Sequence, residues 1–140
     1  MKVYDAENQI LGRLASVIAK QLLNGEKVFV VNCEKAVLAG KPRFKTEHYL
    51  HKVQRGYALK GPFFPRTPDG IFRRTVRGML PWDKPRGRKA YKNLKVFIGL
   101  PEDFKNRKLE KVANADASKL RTKYITLGEL SVAIGAKKRW

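Results

Sequence analysis

Apolar residues recur at helical spacing between Ile10 and Leu23. Leu11, Leu14, Ala15, Ile18 and Leu22 fall on one stripe, and Arg13, Ser16, Lys20 and Asn24 fall opposite. Asn24-Gly25 supplies a stop. The next apolar run, Val28–Val31, is continuous rather than alternating, which is the pattern of a strand covered on both faces in a parallel sheet. Val3-Tyr4 predicts a short strand before the helix. Strand, helix and strand within about 30 residues make a βαβ unit, for which a right-handed crossover is expected.

Gly40-Lys41-Pro42 interrupts the pattern. Phe44–Val53 predicts a helix with Phe44, Tyr49 and Leu50 on one face. Gly56–Pro68, rich in Gly, Pro and aromatics, predicts a loop that extends from the core. Thr67-Pro68 then opens a helix, with Thr67 as N-cap, Pro68 at the first helical position and Asp69 in the first turn. The helix should stop near Leu80, before Pro81. At about 100° per residue, Arg73, Arg74 and Arg77 share one arc, and Phe72, Val76 and Met79 share the adjoining arc expected to be buried. A second short helix is predicted over Arg86–Asn93 and a strand over Leu94–Ile98, ended by Gly99 and Pro101. Ile125–Gly135 carries the clearest helix signals. Thr126 and Glu129 have capping-box spacing, Ile125 and Leu130 sit at staple positions, and Gly135 ends the run. The sum is an α/β protein with a parallel sheet, in one domain spanning residues 1–140.

Charge changes the picture in the middle of the chain. Residues 1–40 carry 5 bases and 4 acids, whereas residues 41–100 carry 16 bases and 3 acids, out of a formal net charge of +19 for the whole. Arg73, Arg74, Arg77, Lys84, Arg86, Arg88 and Lys89 crowd one short segment, with Trp82 and Tyr91 interleaved. Arg55, Lys60 and Arg66 flank the preceding loop. Like charges repel, so this crowding gives folding nothing. A solvated surface made for solubility rarely needs a net charge beyond about 8. A dense polyanion neutralises such a surface, and nucleic acid is the commonest one. These ten basic residues are the candidate contacts.

Other chemistry finds little footing. No G-x-G occurs, and the turn after the first strand, Asp5-Ala6-Glu7-Asn8-Gln9, carries two acids that would repel a pyrophosphate. Gly40-Lys41 lacks the Ser or Thr of a phosphate loop. His48 and His51 could share a helix face but have no further ligands beside them. Cys33, the sole cysteine, follows an apolar strand and reads as a small buried residue; no intrachain disulfide is possible. No paired carboxylates stand in the basic segment. No apolar run approaches the roughly 18 residues of a membrane span, and Met1–Tyr4 leads straight into Asp5 and Glu7 without a leader-like stretch. The expectation is a cytoplasmic protein that is not an enzyme, with no cofactor, no metal, no membrane and no small-molecule substrate.

Particular motifs sharpen this. Leu11-Gly12-Arg13-Leu14-Ala15-Ser16, Val30-Val31-Asn32 with Glu34-Lys35, and above all Arg77-Gly78-Met79-Leu80-Pro81 resemble the large-subunit ribosomal protein thirteen family. The likeness covers most of the chain and is weakest over residues 101–124. The short Asn24–Lys27 link departs from the bacterial pattern, Trp82 and the Arg86-Gly87-Arg88 run look archaeal or eukaryotic, and an end at Trp140 lacks the long extension of eukaryotic members, so the archaeal form fits best. The resemblance implies a three-layer α/β/α, Rossmann-like fold around a mostly parallel sheet, with basic loop extensions. It further implies a structural role on large-subunit ribosomal RNA beside neighbouring ribosomal proteins, and an early place in subunit assembly. A free-standing nucleic-acid-binding protein, or a nucleic-acid enzyme on a nucleotide-binding-like fold, is the alternative.

Overall fold

In the computed structural model, which describes residues 1–140, the chain runs β1 (Lys2–Asp5), α1 (Leu11–Leu23), β2 (Val28–Val31), β3 (Val37–Ala39), α2 (Pro42–Gln54), α3 (Pro68–Arg77), α4 (Pro85–Lys92), β4 (Leu94–Val96), β5 (Tyr124–Thr126) and α5 (Leu127–Ala133). β1, β2 and β4 form a parallel sheet in that order, with Tyr4, Val30 and Val96 in register. Side chains alternate across a strand, so this register sorts the sheet into two faces. Tyr4, Val28, Val30 and Leu94 join the main core, which also takes Leu11, Leu14, Ile18 and Leu22 of α1, Ile71, Phe72 and Val76 of α3, and Leu127 and Leu130 of α5. Val3 and Val31 point the other way, onto Phe104, with Phe29, Phe97 and Leu109 alongside.

The fold is α/β around a mostly parallel sheet, as the sequence predicts. The second face is covered more thinly than by helices. A single 3₁₀ turn, Glu102–Phe104, does the work, its Phe104 ring 5.3 Å from Phe29 and 5.4 Å from Phe97. Phe29, Phe97 and Phe104 thus form a small aromatic cluster on this face of the sheet.

Two strands were not legible. β3 and β5 pair antiparallel, with Leu38 opposite Ile125, and each has three residues, too few for periodicity to register. Ile125 therefore belongs to a strand. Thr126 ends it and caps α5, its Oγ1 accepting from the Glu129 amide at 3.3 Å. Thr67 occupies the cap position of α3 with extended backbone, but its side chain makes no capping bond.

Two side chains depart from the predicted pattern. α3 ends at Arg77 and Gly78 caps it, so Met79 leaves the helical wheel and is 42% exposed; Leu80 enters the core instead. Phe44 is exposed as well. It stands five residues from Tyr49, or about 140° around α2, too far to share a face.

Polar side chains close the C-terminal rim of the sheet, where doubly wound folds usually hold ligands. Asp5 Oδ1 accepts from the Glu7 amide and from Asn32 Nδ2, both at 3.0 Å. Glu34 Oε2 accepts from the Gly99 amide at 3.0 Å, and Gln9 Oε1 from the Val112 amide at 3.0 Å. Asn32 adopts the left-handed conformation, and its own amide donates to the Gly99 carbonyl at 2.9 Å. The Asn32–Glu34 motif thus ties the loop after β4 to the end of β2.

Val76→Asp should lower stability by about 3–5 kcal/mol, because it puts an uncompensated charge in the main core. Gly87→Ala should cost about 1–3 kcal/mol, because a Cβ there would collide with the Pro81 backbone. Denaturant melts of both variants check this; unchanged midpoints would mean that α3 and α4 are not packed as described.

Candidate nucleic-acid interface

Pro81 breaks the chain after α3, and the turn that follows is tight, with the Lys84 amide donating to the Pro81 carbonyl at 3.1 Å. Gly87 lies against the Pro81 backbone, where no side chain would fit. α4 is thereby folded back so that its Tyr91 ring faces Arg73 of α3. Trp82 and Tyr91 meet edge to face, with centroids 5.2 Å apart and planes at 88°. The Arg77 guanidinium sits 4.5 Å from the Trp82 ring centroid, and that of Arg73 sits 4.9 Å from the Tyr91 centroid. Each such stack is worth about 0.5–1 kcal/mol at an exposed site. Arg88 Nε donates to the Trp82 carbonyl at 2.9 Å, and Arg74 Nη2 donates to the Phe63 carbonyl at 3.2 Å. Several predicted contacts are therefore positioned by the protein rather than free in solvent.

The charge on this face is unbalanced. Five ion pairs form in the protein, Lys2–Glu26, Lys35–Glu7, Arg43–Glu47, Lys105–Glu102 and Lys111–Asp5. None involves a residue from 48 to 101. That segment holds thirteen Lys and Arg against Asp69 and Asp83 alone. Arg73 is the least available of the stripe: its Nε is buried without a partner, which costs about 1–3 kcal/mol. Lys84, Arg86 and Lys89 are exposed along the outer side of α4.

The loop residues separate. Arg55 and Lys60 lie exposed on a tight turn closed by reciprocal Tyr57–Gly61 backbone bonds of 2.9 and 2.8 Å. Gly56 (φ +97°) needs its glycine there, because a Cβ would strike Pro62. Arg66 turns elsewhere, its Nη1 3.4 Å from where a Gly135 side chain would begin, at the end of α5. Phe64 is half-buried on Tyr49, with centroids 5.9 Å apart, while Phe63 is 67% exposed. Tyr57 and Leu59 are also exposed at the tip, a feature no periodicity signals.

Cys33 is fully buried. Burial first, then the nearby Glu34 and Asp69 charges, push its thiol far above the ordinary range. His48 stacks on Phe44, with centroids 6.4 Å apart. Desolvation, then Lys52, Lys45 and His51, hold its pKa below the usual histidine value, so it is neutral at neutral pH. No helix is long and apolar enough to cross a membrane.

A family model described as ribosomal protein L13 matches residues 1–103. The chain is 54% identical over 136 residues to the large ribosomal subunit protein uL13 of Methanopyrus kandleri, covering 95% of this chain and 86% of that one. It is 53% identical over 135 residues to the protein of that name from Archaeoglobus fulgidus, with the same coverage. Against the Methanosarcina barkeri protein it is 47% identical over 139 residues, covering 98% and 99%. These relatives extend through the residues after 103.

The Cys33 thiol of native protein should resist an aromatic disulfide reagent near pH 8.5, where a free thiol is about half ionised. It should react at once in denaturant. Fast labelling of the native protein would show that the β2 end is open to solvent.

Proposed function

The chain belongs to the ribosomal protein L13 family, and we propose that it binds large-subunit ribosomal RNA through the α3–α4 face and acts early in subunit assembly. Membership makes it a structural constituent of the large subunit of the cytoplasmic ribosome, of archaeal type, and not an enzyme. Residues 1–140 act as one RNA-binding domain, with neighbouring ribosomal proteins around it.

One observation carries this reading. Thirteen cations crowd residues 48–101 without a single internal ion pair. Such a surface is electrostatically incomplete by itself, and RNA phosphates complete it. Arginine suits the role because its planar fork grips two phosphate oxygens at once. Arg74, Arg77, Lys84, Arg86, Arg88 and Lys89 make the main contact. Arg55 and Lys60 extend it along the turn, Arg66 adds a charge beside α5, and Arg73 contributes from its half-buried seat. A-form RNA hides its major-groove base edges, so shape and backbone contacts dominate on the duplex parts of the target.

The protein should co-sediment with large subunits through a moderate-salt gradient and be present in their early precursors. A free-standing nucleic-acid-binding protein would stay at the top. Replacing Arg77, Lys84, Arg86 and Lys89 together by Gln leaves the buried side of α3 intact. It should flatten the log–log salt dependence of RNA binding by about 3, at roughly 0.7–0.9 per neutralised phosphate. An unchanged slope with normal incorporation would mean that these residues form only a solvated surface.

A further inference from the structure

The α3–α4 face holds more than a row of charges. Pro65, Gly70, Arg73, Arg74, Arg77, Trp82 and Tyr91 line an open cleft of about 240 Å³. Resting on the RNA-binding reading above, we propose that this cleft receives one unpaired nucleotide of the RNA, its base against the Trp82–Tyr91 corner and the Arg77 plane, its phosphate against Arg74.

The walls are set before any ligand arrives. Trp82 and Tyr91 stand at 88° to each other, forming a right-angled aromatic corner. The Arg77 guanidinium carbon stands over the indole, 4.5 Å from the ring centroid, and the Arg88 bond to the Trp82 carbonyl fixes the backbone beneath. Trp82 remains 36% exposed, so part of the ring is open. Arg74 reaches the cleft from α3 while holding the Phe63 carbonyl. The cleft therefore presents aromatic surface, a guanidinium plane and a phosphate-binding fork side by side.

Duplex phosphates alone would need none of the aromatic surface. A lysine-rich ridge such as Lys84, Arg86 and Lys89 already serves them. Unstacked bases, in contrast, are recognised by stacking on aromatic rings and on arginine planes. The cleft is also open to solvent, as a site for one flipped-out residue of a polymer must be.

Ultraviolet crosslinking of large subunits carrying the wild-type chain tests this directly, read by mass spectrometry of peptide–nucleotide adducts. An adduct on Trp82 or Tyr91 is expected. In parallel, ribosomal RNA bases are probed with dimethyl sulfate and a carbodiimide in subunits carrying Trp82→Leu or Trp82→Phe. One unpaired base should become several-fold more reactive with Leu and stay protected with Phe, which still stacks. Either result establishes the nucleotide site. No adduct at either ring, together with unchanged base reactivity in the Leu variant, overturns it. A triple variant with Lys84, Arg86 and Lys89 replaced by Gln, none of which lines the cleft, distinguishes the two readings: if it loses incorporation while Trp82→Leu changes nothing, phosphate contact stands and the nucleotide site falls. If neither variant has any effect, RNA binding by this face falls as well.

Discussion

Burial of one side of α3 has to outweigh the repulsion along its other side. Ile71, Phe72 and Val76 are fully enclosed, and burying each contributes about 1.5–3 kcal/mol. Two like charges 4 Å apart in water repel by only about 1 kcal/mol, and salt reduces this further. The apolar side therefore wins, and α3 can carry Arg73, Arg74 and Arg77 in its last turns without an acidic partner. The stacked seats of Arg73 and Arg77 on Tyr91 and Trp82 follow from the same packing. They need α4 folded back at Pro81, which in turn needs Gly87 to have no side chain.

The polar groups at the C-terminal rim of the sheet explain how an α/β fold of this type can serve a purely structural role. Asp5, Gln9, Asn32 and Glu34 spend their hydrogen bonds on the chain's own amides and on each other. The rim where a doubly wound enzyme would cradle a phosphate is filled with carboxylates and closed by the Gly99 loop. The bases without an acidic partner lie elsewhere, between residues 48 and 92, where no ion pair forms and Trp82 and Tyr91 meet edge to face.

Much of this was legible in the residues because it depends on local periodicity. The α1 stripe and the Val28–Val31 run repeat often enough to define a helix and a doubly covered strand, and the arginine arc follows from helical geometry alone. What escaped depends on contacts between distant segments. β3 and β5 are three residues each and exist because they pair with one another. Phe104 reads as one aromatic in a polar stretch until it meets Phe29 and Phe97. Met79 was misplaced by a single decision, whether the helix continues through Gly78. The base composition of the site was plain, but the meeting of Trp82 with Tyr91 and the two arginines was not. It requires the reversal between α3 and α4, for which Pro81 signals a break but not a direction. The position of Arg66 beside Gly135, just past α5, is likewise set by a distant contact that no local pattern signals.

The most direct measurement is amine acylation footprinting of the lysines, comparing free protein with assembled large subunits by mass spectrometry. Lys84 and Lys89, both exposed in the free chain, should become strongly protected in the subunit, while Lys20 and Lys27 on the near-neutral N-terminal part should react much as before. Equal reactivity of Lys84 and Lys89 in the two states, with protection confined to the N-terminal lysines, would contradict the assignment of the α3–α4 face to RNA.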